Sequence, residues 1–243
     1  MLHGPQKDLF DLSFSLPSEC ADRIETGHAD IGIVPVVEIP RLGLTRIPGT
    51  GIACRGPVRS ILLISRTKPE KIATLATDLG SRTSVALARI VLARRYGSRP
   101  VLVPMPPRLE GMLEAADAAL VIGDAALLID PSGVPFQVMD LGEEWLALTG
   151  LPMVFAMWAG PAAVARPRLE AAFTGSCRFG LANLEKIIAQ EARRRGIGED
   201  LARRYLTRHI VFELEERDYE GMDLFLQYTA GLDTLVASPA TLA

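Results

Sequence analysis

The chain has 243 residues, 49% of them hydrophobic and 23% charged, with a formal net charge of −3. That supplies apolar material for one large domain or two modest ones and excludes a disordered chain. The slightly acidic balance offers no global field to nucleic acid or an anionic membrane, so a small anion has to be held by local groups.

The N-terminus, Met1-Leu2-His3-Gly4-Pro5, lacks the charged-then-apolar pattern of a secretory signal. No run approaches the roughly 20 apolar residues of a membrane span. Cys20, Cys54 and Cys177 are scattered and odd in number, with neither metal-ligand spacing nor a disulfide framework. That usage fits a reducing compartment, and a cytoplasmic location is expected.

Along the chain, a helix is predicted from Pro17 to Gly27, with Ser18 as N-cap and Gly27 as its stop. A strand follows over Ala29 to Val34, closed by Pro35. Arg46 to Cys54 reads as a second strand broken by glycines, and Arg59 to Ser65 as a third, whose continuous apolar run Ile61-Leu62-Leu63-Ile64 is consistent with burial on both faces. From Ile72 the pattern alternates: a strand at Ile72 to Ala76, a helix at Ser84 to Tyr96 stopped by Gly97, and a strand at Val101 to Val103. A short helix at Leu109 to Ala116 and a strand at Ala118 to Ile122 come next. Such alternation predicts parallel βαβ units. After Gly160 the texture is helical only. Leu181, Leu184 and Ile188 share a face, as do Leu201, Tyr205 and Phe212, and again Met222, Phe225, Thr229 and Leu232. Two lobes are expected, with hinges at Ser60 to Arg66 and Leu151 to Ala159. Residues 1–66 and 152–243 form the first lobe and 67–151 the second, with a ligand cleft between them.

In such sheets ligands bind beyond the carboxyl ends of strands. Gly80-Ser81-Arg82-Thr83-Ser84 opens a helix, where hydroxyls either cap the first turn or help the amides hold an anion. Gly123-Asp124 follows another strand end; the glycine permits close backbone approach, and the aspartate either caps the next helix or faces the ligand. In Cys54-Arg55-Gly56-Pro57-Val58-Arg59-Ser60, a tight turn, Arg55 or Arg59 either pairs with a carboxylate or lies at the surface. None of His3, His28 and His209 stands beside a partner motif; His209 reads as packed in a C-terminal helix. There is no nucleophile-elbow, phosphate-loop or dinucleotide fingerprint and no His/Cys metal cluster, so no metal or cofactor is expected. Residue chemistry alone supports a binder and leaves an enzyme open.

Six segments in order resemble chorismate dehydratase, the first enzyme of the futalosine route to menaquinone. They are Ala29 to Pro35, Gly56-Pro57-Val58-Arg59-Ser60, Ser81 to Ser84, Ile122-Gly123-Asp124, Asp140 to Trp145 and Thr149 to Pro152. The tail, with His209 to Phe212 and Gly221 to Phe225, is similar too, so the resemblance runs from about Phe14 onward. It implies an α/β, two-lobed type II periplasmic-binding-protein-like fold with mostly parallel sheets and a helical C-terminal return. It also implies a cofactor-free lyase that turns chorismate into 3-[(1-carboxyvinyl)oxy]benzoate and water. Thr83 and Ser84 are then the candidate catalytic residues. Ser81, Arg82, Gly56, Pro57, Val58, Arg59, Ser60, Pro35, Gly123 and Asp124 would complete the substrate site. With no histidine at the cleft, the base would be a carboxylate of the substrate itself.

Relatives of this kind begin with a further strand and a Ser-Tyr-Leu-Asn-x-x-Pro-Leu loop upstream of the point where Met1 stands. A protein starting at Met1 is therefore expected to be poorly stable or poorly active. Two rivals share the fold: a non-catalytic receptor for a small carboxylate, and the later pathway enzyme dihydroxynaphthoate synthase, whose site is expected to contain a histidine. The expected partner is the small-molecule substrate alone, with no nucleic acid or membrane, and the protein a monomer or homodimer.

Overall fold

A computed structural model describes residues 1, 3–78 and 80–234. Helix α1 (Pro17–Glu25) leads to β1 (Gly32–Pro35), the short α2 (Glu38–Arg41), β2 (Thr45–Cys54) and β3 (Ile61–Ser65). Next come β4 (Thr74–Thr77), α3 (Arg82–Tyr96), β5 (Val101–Pro104), α4 (Leu109–Ala115), β6 (Ala118–Ile122) and α5 (Gly123–Leu127). The chain continues through β7 (Gln137–Asp140), α6 (Leu141–Thr149), β8 (Met153–Gly160), α7 (Pro167–Ala182), α8 (Leu184–Arg195) and α9 (Glu199–Arg204). A π-helical turn (Tyr205–His209), β9 (Val211–Glu213) and α10 (Glu216–Thr234) complete it.

The strands sort into a four-stranded sheet, β1-β8-β2-β9, and a five-stranded sheet, β5-β4-β6-β3-β7. Of the pairings among described residues, β4–β5 and β4–β6 are parallel and the rest antiparallel. The expected mostly parallel sheets are therefore corrected to mixed ones. The βαβ rule holds through β4-α3-β5, but β3 enters its sheet from the opposite end, and β8 returns between β1 and β2. Ile61–Ser65, expected with the first lobe, pairs wholly within the five-stranded sheet, between β6 and β7. Its apolar run Ile61 to Ile64 is explained by burial of every residue in the strand, Ser65 included. The chain passes between sheets in 55–60 and again in 141–152, which overlap only the first residues of the segments expected as hinges.

The helical-only reading beyond Gly160 also needs correction. β9 pairs with β2 at Thr50↔Glu213 and Ala53↔Val211, so Phe212 leaves the helical face assigned to it. Two further details depart from expectation: Leu16, not Ser18, occupies the N-cap of α1, and α3 is buried around most of its girth rather than along one stripe. Gly97 does stop α3, in the left-handed conformation at φ +68°.

One large apolar cluster joins both sheets, with Val34 and Ala53 from one, Leu63 and Leu120 from the other, and Trp145 and Phe225 among its buried members. Trp145 Nε1 donates to Pro152 O at 2.9 Å, and its ring meets Phe225 edge-on at 5.9 Å. Gly221 of α10 presses on the same carbonyl: a Cβ there would lie 2.0 Å from Pro152 O. No helix among the described residues is long and apolar enough to cross a membrane.

Candidate functional site

Register brings the expected segments to one place. β4 and β6 run parallel with Thr77↔Leu120, so their carboxyl ends, and the starts of α3 and α5 that follow, reach the same sheet edge. β3 is antiparallel to β6 with Ile61↔Ile122, so the segment Gly56 to Ser60 arrives at that edge, and β7 ends there with Leu62↔Asp140. In the other sheet, Pro35 and Ile52 both stand opposite Ala156, so β1 and β2 end together. β9 starts opposite Ala53 and draws the π-turn to the same side.

The Gly56–Ser60 segment is held from three directions. Asp140, the N-cap of α6, accepts from Gly142 N at 2.9 Å and Glu143 N at 3.2 Å. It also accepts from Val58 N at 2.9 Å and Arg59 N at 2.6 Å. Gly142 is required here, since a Cβ would stand 2.5 Å from Gly56 O. Arg59 sits at φ +64°, a conformation L side chains seldom adopt, and such strain persists only where the surroundings over-determine it. Its guanidinium, expected to face a carboxylate, instead donates to Ala126 O at 2.8 Å, to Leu127 O at 3.3 Å and to Ile129 O, at the end of α5. Burial lowers its affinity for the proton, and the helix C-terminus offers the compensating negative end.

On the third side, Tyr205 donates its hydroxyl to Ser60 Oγ at 3.0 Å, and Gly123 N donates to Ser60 O at 2.8 Å. His209 Nδ1 lies 2.8 Å from Pro57 O, so the ring nitrogen donates to that carbonyl. The half-buried His209 thus belongs to the π-turn at this edge and not to a packed C-terminal helix. The reading that no histidine stands near the site is corrected accordingly. Asp124 makes no cap for α5; its carboxylate pairs with Arg195 at 2.6 Å.

At the start of α3, Ser81 is the N-cap residue but its side chain makes no capping bond. Thr83 and Ser84 are buried, and Thr83 Oγ1 has no hydrogen-bond partner. A buried hydroxyl left so costs about 1–3 kcal/mol, which an incoming acceptor or donor would recover. Arg82 turns away and donates to Asp22 at 2.8 Å and to the buried Glu38 at 3.1 Å, three residues beyond Pro35. Arg55 is likewise engaged: the fully buried Asp218 accepts from its Nε at 3.2 Å and NH2 at 2.8 Å, holding the guanidinium well above its usual value. All three arginines singled out by sequence therefore have protein partners, and hydroxyls and main-chain amides remain for an anion. Burial pushes the Cys54 thiol up to about 12, so it stays protonated at neutral pH. No group of acidic, histidine or cysteine side chains among the described residues could hold a metal. An open depression of about 440 Å³ beside Asp30, Val164 and Arg166 lies at the opposite end of β1.

Sequence reasoning missed Tyr205 as a member of this edge and quoted Asp140 only as part of a motif. An aspartate directly before Leu-Gly-Glu-Glu is a legible N-cap signal; nothing local announces a π-turn.

Comparison with known proteins adds the following. Residues 2–231 match a family model described as menaquinone biosynthesis. A chorismate dehydratase of Thermus thermophilus is 31% identical over 238 residues, covering 90% of this chain and 86% of that protein. Among solved structures, a protein of Archaeoglobus fulgidus superposes with TM-score 0.63 at 16% identity, covering 93% of this chain and 85% of the other. The periplasmic aliphatic sulphonate binding protein SsuA of Escherichia coli gives 0.57 at 18% identity, covering 93% and 82%. The expected fold class, α/β and periplasmic-binding-protein-like, is borne out, with mixed sheets. By the match over nearly its whole length and its likeness to the Thermus enzyme, the chain belongs to the menaquinone biosynthesis family.

Proposed function

We propose that this protein is an enzyme that removes water from chorismate to give 3-[(1-carboxyvinyl)oxy]benzoate, a carbon–oxygen lyase needing no cofactor. The Thermus relative supports the substrate, and the observation that carries the reading is the start of α3. It is an uncapped terminus of a 15-residue helix with the buried hydroxyls of Thr83 and Ser84 beside it, one of them unpartnered. Free amides and the positive end of the helix dipole favour a carboxylate at such a place.

In this reading Thr83 and Ser84 hold a substrate carboxylate and steady the charge that develops, while Ser81 and the main chain at Arg82 complete the helix start. Pro35, Gly56 to Ser60, Gly123 and Asp124 form the walls. The ring carbon bearing the enolpyruvyl ether gives up its proton, the adjacent hydroxyl leaves, and the ring becomes aromatic. With His209 Nδ1 engaged by Pro57 O, a carboxylate of the substrate takes the proton and passes it to the departing hydroxyl, which leaves as water; the protein contributes orientation and exclusion of bulk solvent. Each sheet is the core of one lobe, with the boundary in 55–60 rather than at residue 66. The setting is cytoplasmic, and the protein acts alone or as a homodimer.

The test is kinetic. Thr83→Ala and Ser84→Ala are each expected to lower kcat/KM for chorismate at least tenfold, with little change in thermal midpoint. Unchanged affinity and turnover in both variants would remove the helix start from the site. A small-carboxylate receptor is the second reading, and it would appear as ligand-dependent stabilisation without turnover.

A further inference from the structure

We propose that Tyr205 is a positioning residue of this site, acting through the hydroxyl of Ser60; the proposal rests on the chorismate reading above. The Tyr205 hydroxyl donates to Ser60 Oγ at 3.0 Å, so Ser60 keeps its own hydrogen for an outside acceptor. Ser60 is buried, and its carbonyl is fixed by Gly123 N at 2.8 Å, which leaves the side chain little freedom. A serine whose oxygen already accepts a hydrogen bond is polarised into a better donor, suited to a carboxylate oxygen of the substrate.

The placement of Tyr205 is built in. Its carbonyl accepts from Ile210 N at 3.1 Å, a five-residue bond that closes the π-turn. That turn touches the crossing segment at two points, Tyr205 on Ser60 and His209 on Pro57. Turns of this kind are rare and concentrate at functional sites. The same segment carries the left-handed Arg59 and is gripped by Asp140 from the other side. A backbone fixed so firmly presents Ser60 in one orientation. Burial raises the Tyr205 hydroxyl above its ordinary value, which keeps it a donor at neutral pH.

The experiment is a double-mutant cycle on the full chain, with chorismate as the probe. Tyr205→Phe keeps the ring and removes one donor; kcat/KM is expected to fall about tenfold while the thermal midpoint holds to within about 3 °C. On a Ser60→Ala background the same change is expected to cost no further than about twofold, because the hydroxyl it acts through is gone. If Ser60→Ala does not fold, Ser60→Cys, of similar volume but a weak donor, serves as the background. Wild-type kinetics in Tyr205→Phe, or an undiminished tenfold loss on the Ser60 background, overturns the proposal while chorismate turnover by the unmutated protein upholds the function. Absence of that turnover overturns the substrate reading and this proposal together.

Discussion

At Asp140 one carboxylate accepts from main-chain amides of both α6 and the Gly56–Ser60 segment. Removing it deletes a helix cap, worth about 1 kcal/mol, together with two charge-assisted bonds that hold the strained backbone at Arg59. Asp140→Ala is expected to lower stability by about 3 kcal/mol in urea denaturation and to depress turnover at least tenfold. An unchanged denaturation midpoint would contradict this role. Half of that role is written in the sequence, as an aspartate before a helical run with an acidic first turn. The other half depends on the pairing Leu62↔Asp140, which places residues some eighty positions apart side by side and which no local pattern encodes. The arginines show the same limit. Nothing in the sequence names a protein partner for Arg55, Arg59 or Arg82, and only the fold reveals Asp218, the end of α5, and Glu38 as their partners.

Among the elements, long or strongly apolar segments are legible: α3 with its Gly97 stop, β3 as a fully buried run, and β6 ahead of Gly123. β9, at three residues, is too short to show alternation, and β8 hides inside a segment that reads as a hinge. The motif glycines become intelligible only through contacts. Gly221 lets α10 sit against Pro152 O, the carbonyl that also receives the Trp145 indole. Gly221→Ala forces a methyl into that main chain, so α10 has to shift away from β8 and the ring of Phe225 loses its place. The expected cost is about 3 kcal/mol, seen as a fall in thermal midpoint with loss of near-ultraviolet signal from Trp145. A variant as stable as the parent would show that α10 does not pack there.

For the whole molecule, the candidate site lies where two sheets end at one edge and the chain crosses between them. Strand directions decide this, and they are the feature the sequence pattern misjudged: alternation predicted parallel neighbours, whereas β3 and β8 run against theirs. The carboxyl ends of β4 and β6 still meet the crossing segment, so the residues expected at the site gather despite the changed topology. Arg82 reaches from the start of α3 to Glu38 and Asp22, tying that edge to the elements around β1. The arrangement suits a ligand held by helix-start amides and hydroxyls, with the arginines kept for the scaffold.

The dehydration is tested by mixing the purified protein with a large excess of chorismate, with nothing else added, and following both species by proton NMR. Many turnovers per protein molecule are expected, with chorismate lost and 3-[(1-carboxyvinyl)oxy]benzoate gained in equal amounts. Chorismate that stabilises the protein yet persists unchanged would contradict it and leave a receptor.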